Sequence, residues 1–258
     1  MIPTPIQTAL ATLREFEVPA LLIGGQACIL YGGAEFSRDL DLMLAANRMA
    51  LPRLEQALAA LQADIIAVPP LRLDLLQRGH AVHFRCARPD VAGLRLDLMT
   101  RPPRLPELDV VWGRHVVVDL DSGPVAVVAL EDLVSTKKTQ RDKDWATIGE
   151  LVDADIVAHR DVADRNRIAF WLRECRDADA LIELASAFRE TAVAAAADRP
   201  LLDAALNRDP RRLELELAQE QIRGKQADRE YWAPLRAELE QMRHDRRRAG
   251  SSGATDAL

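Results

Sequence analysis

Cysteine is scarce in this chain, basic residues do not outnumber acidic ones, and long apolar runs are missing. Cys28, Cys86 and Cys175 are odd in number and far apart, which fits reduced thiols rather than a disulfide framework. There is no CxxC pair and no Cys/His spacing, so a structural zinc is not expected. Lys and Arg number 34 against 40 Asp and Glu, a formal net charge of −6. That balance argues against broad, non-specific attachment to nucleic-acid phosphate, while leaving room for an RNA docked on a local patch. The basic run Arg243-His-Asp-Arg-Arg-Arg248 reads as a solvated helix end. No apolar stretch approaches bilayer length, and Met1-Ile-Pro-Thr-Pro-Ile6 lacks the basic and apolar segments of a secretory signal. The expectation is a cytoplasmic protein without a membrane partner.

What is present suits a globular chain: 258 residues, 48% hydrophobic and 29% charged, enough for one large domain or two modest ones. Helical spacing runs from Thr8 to Phe16, followed by a short apolar strand at Ala20 to Ile23 and a buried helix at Gly25 to Tyr31. A second strand is expected at Asp39 to Leu44 and an amphipathic helix at Met49 to Leu61. Ala81 to Cys86 and Leu94 to Met99 read as a strand pair, as do His115 to Leu120 and Val125 to Val128 around the turn Asp121-Ser-Gly-Pro124. Beyond Leu130 every segment reads as helical, with Pro234 opening a last helix. The predicted class is therefore α+β, a mixed α/β sheet in the N-terminal half and an all-helical C-terminal half. The expected division is 1–124, 125–248 and a disordered tail at 249–258.

The chemistry concentrates between Leu21 and Leu44. Strand alternation puts Asp39 and Asp41 on one face and Leu40, Leu42 and Leu44 on the other. Two adjacent carboxylates repel unless a cation lies between them, and their natural partner is a divalent metal. Gly24 and Gly25 allow close backbone approach, and the helix that follows offers free N–H groups to phosphate. In Leu94-Arg-Leu-Asp-Leu-Met99, alternation sets Asp97 and Arg95 apart from the three leucines. If that strand pairs beside the Asp39–Asp41 strand, three carboxylates converge, enough for two magnesium ions about 3.5–4 Å apart serving an in-line displacement. The competing reading, that each Asp merely caps or solvates a strand end, is outweighed by the combination of glycine pair, helix and later acid.

Gly24-Gly-Gln-Ala27, Phe36-Ser-Arg-Asp-Leu-Asp-Leu42 and Leu96-Asp-Leu98 together resemble the nucleotidyltransferase superfamily that includes DNA polymerase beta. The nearest branch is that of bacterial minimal nucleotidyltransferases and abortive-infection type IV toxins, over roughly residues 18 to 155. The resemblance implies a nucleoside triphosphate donor, magnesium, and transfer of a nucleoside monophosphate to a hydroxyl. It puts Gly24 and Gly25 at the phosphate turn and Asp39, Asp41 and Asp97 at the metal ligands; the reading of the residues adds that Asp97 can take the acceptor's proton. Many relatives have Ser or Thr after the glycine pair or at its second position; here Gln26 follows Gly25, so a hydroxyl contact to phosphate is lost or replaced by an amide.

Ser37 and Arg38 are further candidates for phosphate contact, Arg38 being equally able to pair with Glu35. Lys137, Lys138, Arg141 and Lys143 crowd one segment and can neutralise triphosphate charge, or simply form a solvated helix end capped at Asp142 or Asp144. Lys143-Asp144 resembles a Lys-Asp pair of the toxin-like branch, with either Lys137 or Lys138 as its upstream lysine. His80 and His83 read as ordinary strand residues. The expected activity is nucleotidyl transfer to an RNA end, a tRNA first, in a toxin–antitoxin or defence setting with a cognate antitoxin. A small-molecule or protein acceptor is the alternative, and a nucleotide-binding protein with lapsed catalysis is a third.

Overall fold

A computed structural model describes residues 2–34, 36–45 and 49–252. The described residues fall into two compact units, one drawn from Met1–Ala27, Ser37–Ala129 and Glu230–Leu258, the other from Cys28–Phe36 and Leu130–Arg229.

The first unit holds a seven-stranded mixed sheet. Its strands are β1 (Ala20–Ile23), β2 (Asp39–Leu44), β3 (Ala63–Ile65), β4 (Val82–Cys86), β5 (Arg95–Met99), β6 (Val116–Leu120) and β7 (Gly123–Val127), in the order β3-β4-β5-β2-β1-β7-β6. β2 runs parallel to β5, and β1 parallel to β7; the other pairs are antiparallel. The helices accompanying it are α1 (Thr4–Glu15), α2 (Gly24–Leu30), α3 (Ala50–Ala60), α4 (Leu73–Gln77) and α5 (Leu108–Trp112), with α2 running on into the second unit.

Period-two patterning builds the sheet. Leu40, Leu42, Leu96, Leu98, Val82 and Phe84 are buried on one face, each worth about 1.5–3 kcal/mol against remaining in water. α1 buries Ile6, Ala9, Leu10 and Leu13, the i, i+3, i+4, i+7 stripe of an amphipathic helix, and touches α3, which buries Leu54, Ala57 and Leu58. Arg88 ties this side together, giving Nη2 to Thr12 Oγ1 at 3.2 Å and Nη1 to the Ala60 carbonyl at 3.3 Å.

The second unit is helical: α6 (Leu130–Lys137), α7 (Asp142–His159), α8 (Arg165–Glu174), α9 (Ala178–Ala187), α10 (Arg189–Ala195), α11 (Leu202–Leu206) and the first part of α12 (Pro210–Ser252). Side-chain caps set two of the starts: Asp164 accepts from the Arg167 amide and Asp177 from the Ala180 amide, both at 2.8 Å. Trp171, fully buried, donates its indole N–H to Asp155 Oδ2 at 2.7 Å.

Three short elements escape the sequence pattern. β3 is three residues long with little burial, and α4 and α5 are five residues each, too short to display a period. Pro234 does not open a helix; it lies inside the 43-residue α12. Its neighbours pack within the first unit, with Tyr231 Oη donating to the Arg101 carbonyl at 3.2 Å and Leu235 buried, which holds the helix through the proline. The expected tail at 249–258 begins in helix as far as Ser252, and residues 253–258 lie outside the described residues. No helix among the described residues is long and apolar enough to cross a membrane.

Candidate active site

Three neighbouring strands bring six polar side chains onto the sheet face opposite the buried leucines. In the ladder of β2 with β5, Asp39 lies opposite Arg95 and Asp41 opposite Asp97. In the ladder of β5 with β4, Arg95 lies opposite Arg85 and Asp97 opposite His83. The face thus carries one row of Asp39, Arg95 and Arg85 beside a second row of Asp41, Asp97 and His83. The convergence expected of Asp39, Asp41 and Asp97 follows from the parallel register of β2 and β5, since an offset of one residue would send Asp97 to the apolar side.

Backbone geometry fits Asp41 to the glycine pair. Gly24 adopts φ +67°, and a Cβ there would fall 2.5 Å from Asp41 Cγ, far inside van der Waals contact. The Gly25 amide points at Asp41 Oδ2 at 3.4 Å. At Gly25 a Cβ would fall 2.6 Å from Ser37 Cβ, so the second glycine lets the approach to β2 pass against the start of α2.

Gln26 is fully buried. Its side-chain amide donates to the carbonyls of Ser37 at 2.9 Å and Asp39 at 3.4 Å, so it braces the entry to β2. Its own carbonyl oxygen is buried and finds no partner among the described residues. Ser37 Oγ stands 3.5 Å from the Asp39 carbonyl, and Arg38 is exposed. The alternative partner weighed for Arg38, Glu35, lies outside the described residues.

Asp97 is half-buried and held by its own sheet. Oδ1 accepts from Arg95 Nε at 2.8 Å and meets His83 Nδ1 at 2.8 Å, while Arg95 Nη2 stands 3.2 Å from the same imidazole nitrogen. Burial pushes the Asp97 carboxyl up, but the hydrogen bonds from His83 and Arg95 more than reverse that and leave it below the usual carboxylate value. The Arg95 guanidinium is held above its ordinary value by the hydrogen bond to Asp97, with further attraction to Asp97, Asp39 and Asp41. His83 was legible only as a strand residue; its alternation with Arg85 in Val82-His-Phe-Arg-Cys86 was the signal that it shares a face with other polar groups.

No family model matches this chain, and no curated protein is found similar to it. Among solved structures, a provisionally named nucleotidyltransferase from H. pylori is 17% identical, covering 87% of this chain and 94% of its own, with a TM-score of 0.39. An antigenic nucleotidyltransferase-like protein from Paracoccidioides brasiliensis is 15% identical over 66% of this chain and 93% of its own, also at a TM-score of 0.39. JHP933 from Helicobacter pylori is 17% identical over 90% and 94%, at a TM-score of 0.35. Likenesses this distant carry no weight for activity or substrate.

The candidate lysines belong to the helical unit and differ in environment. Lys138 Nζ is paired with Glu174 Oε2 at 2.7 Å, and Glu174 is buried. Lys137 Nζ stands 3.8 Å from Asp144 Oδ1. Asp144, itself buried, also receives the Thr139 hydroxyl at 2.5 Å and Arg141 Nε at 2.7 Å. Lys143 is exposed. Of the two upstream lysines, Lys137 is the one that faces Asp144.

Among the described residues, no group of three or more His, Cys, Asp or Glu side chains is placed to hold a metal ion. As donors, Asp39 and Asp41 offer hard carboxylate oxygens on one face and suit a magnesium-class cation. Asp97 fits less well, because Oδ1 is committed to Arg95 and His83.

Proposed function

We propose that the chain is a Mg2+-dependent nucleotidyltransferase, moving a nucleoside monophosphate from a nucleoside triphosphate to an acceptor hydroxyl. The observation that supports it best is the fit of Asp41 against the Gly24–Gly25 turn, with Asp97 in register on the adjoining parallel strand. A side chain at Gly24 would occupy the space of the Asp41 carboxylate, so glycine and acid are matched as one device.

In this reading Asp39 and Asp41 hold the cation. A bound divalent ion supplies charge neutralisation at the phosphates and at the departing pyrophosphate. The Gly25 amide and the first turn of α2 offer N–H groups beside it, and Ser37 and Arg38 flank the acid pair from the entry to β2. Asp97 takes the proton of the attacking hydroxyl, its carboxylate kept ionised and oriented by Arg95 and His83. Of the lysines, Lys137 faces Asp144 and Lys143 is exposed, whereas Lys138 is engaged by Glu174. The first acceptor class in this reading is an RNA end, a tRNA in particular, with a cognate antitoxin as the regulating partner. A small-molecule or protein hydroxyl is the second acceptor class.

The test is incubation of the purified full chain with α-labelled triphosphates, Mg2+ and total RNA, beside Asp41→Asn and Asp97→Asn. Label on RNA with the unaltered protein is expected, with a loss on the order of 100-fold or more in Asp97→Asn, which lacks the acid–base group, and loss of transfer in Asp41→Asn, which lacks a cation ligand. Transfer to an aminoglycoside or to protein instead would move the acceptor, and bound triphosphate without any transfer would mark a binding protein whose catalysis has lapsed.

A further inference from the structure

The two-ion expectation asks Asp97 for a ligand oxygen, and one of its two, Oδ1, is already taken by Arg95 and His83. We infer that this site holds a single divalent cation, on Asp39 and Asp41, and that the Arg95 guanidinium serves beside Asp97 as the built-in second cation. The inference rests on the nucleotidyl-transfer reading and revises its inventory of charge.

The register makes Arg95 suited to the place. It stands opposite Asp39 across β2 and two residues before Asp97 on β5, so one guanidinium lies on the same face as all three carboxylates. Its Nε–H bonds Asp97 Oδ1 at 2.8 Å, and the attraction to Asp39 and Asp41 adds to it. A guanidinium is permanently charged, planar and more weakly hydrated than a small ion, so it can remain half-buried among carboxylates where a hydrated ion would have to shed water. Mg2+ requires near-ideal octahedral geometry and dehydrates reluctantly. To ligate Asp97 Oδ1, a second ion would have to displace both the Arg95 and the His83 hydrogen bonds. Arg85, directly opposite Arg95 on β4, adds a further positive charge to that side of the face and none to the Asp39–Asp41 side. The face is therefore asymmetric: acids at β2, where a cation is needed, and arginines at β4 and β5, where one is already supplied.

The experiment counts Mn2+ bound to the purified full chain, reading free Mn2+ by electron paramagnetic resonance and heat by titration calorimetry. The unaltered protein is expected to take one Mn2+ per chain, Asp41→Asn none, and Arg95→Met two, the freed Asp97 now serving as ligand. Arg95→Gln, neutral and closer in shape, is the second variant should Arg95→Met fail to fold, with the same expected gain of one ion. Two Mn2+ in the unaltered protein, or one still in both folded Arg95 variants, would overturn the inference and leave nucleotidyl transfer standing. One ion with no transfer to any acceptor would sink the nucleotidyl-transfer reading while leaving the ion count intact, and no Mn2+ at all would remove both.

Discussion

Gln26 and Ser37 are joined by a 2.9 Å hydrogen bond from the buried side-chain amide of the first to the backbone carbonyl of the second. That bond fixes where the chain turns into β2, and with it the positions of Asp39 and Asp41. Gln26→Met keeps the volume but leaves the Ser37 and Asp39 carbonyls short of a donor, at about 1–3 kcal/mol. Gln26→Glu is expected to be worse, because a buried carboxylate facing two carbonyls has no favourable partner. Urea denaturation of the three proteins should rank them Gln, Met, Glu in falling stability, and Glu equal to Gln would discard the brace.

The lysines of the helical unit should separate cleanly by stability. Lys138→Met removes the 2.7 Å partner of the buried Glu174 carboxylate, leaving Arg173 Nε at 3.8 Å and the charge of Arg176 beside it, and should cost about 3 kcal/mol. Lys143→Ala removes an exposed side chain and should stay within about 0.5 kcal/mol. Thermal melts of both variants decide it, and equal losses would contradict a structural role for the Lys138–Glu174 pair.

Acid sensitivity should trace in part to Glu220. Burial pushes its carboxyl up, but the hydrogen bonds and charge of Arg199, joined by Arg176, leave it below the ordinary value. A lowered carboxyl lends stability above its unfolded value of about 4.3 and loses it as pH falls through the folded value. Arg199 is itself buried and also donates to the Leu172 and Cys175 carbonyls, while Arg176 lies over the Trp145 ring at 4.9 Å. Glu220→Gln is therefore expected to cost about 3 kcal/mol at neutral pH. It should also flatten the decline in unfolding free energy below about pH 4, read from urea titrations at successive pH values. An acid limb of unchanged steepness would place that sensitivity elsewhere.

Much of this arrangement could be read from residue order. Leu40, Leu42, Leu96 and Leu98 alternate with Asp39, Asp41, Arg95 and Asp97, and that alone assigns faces to β2 and β5. Which strands stand side by side is not a local property, so the pairing of Asp41 with Asp97 had to be supposed until the register was seen. The same holds more strongly for His83, which gains its meaning only from β4 lying antiparallel to β5. Gln26 read as a substitute phosphate contact because its position suggested one; its burial depends on packing that no short motif encodes. Pro234 signalled a helix start by local chemistry and was overruled by the docking of Tyr231 and Leu235.

The span of α12 has a bearing on biogenesis. His80 is sealed by Glu238 at 2.8 Å and Gly79 is approached by Tyr231 and Leu235, so the sheet-bearing unit draws its last packing partners from beyond residue 230. On the ribosome those partners emerge after the whole helical segment has been made. The portion translated first is thus the one whose last contacts are supplied by the end of the chain described.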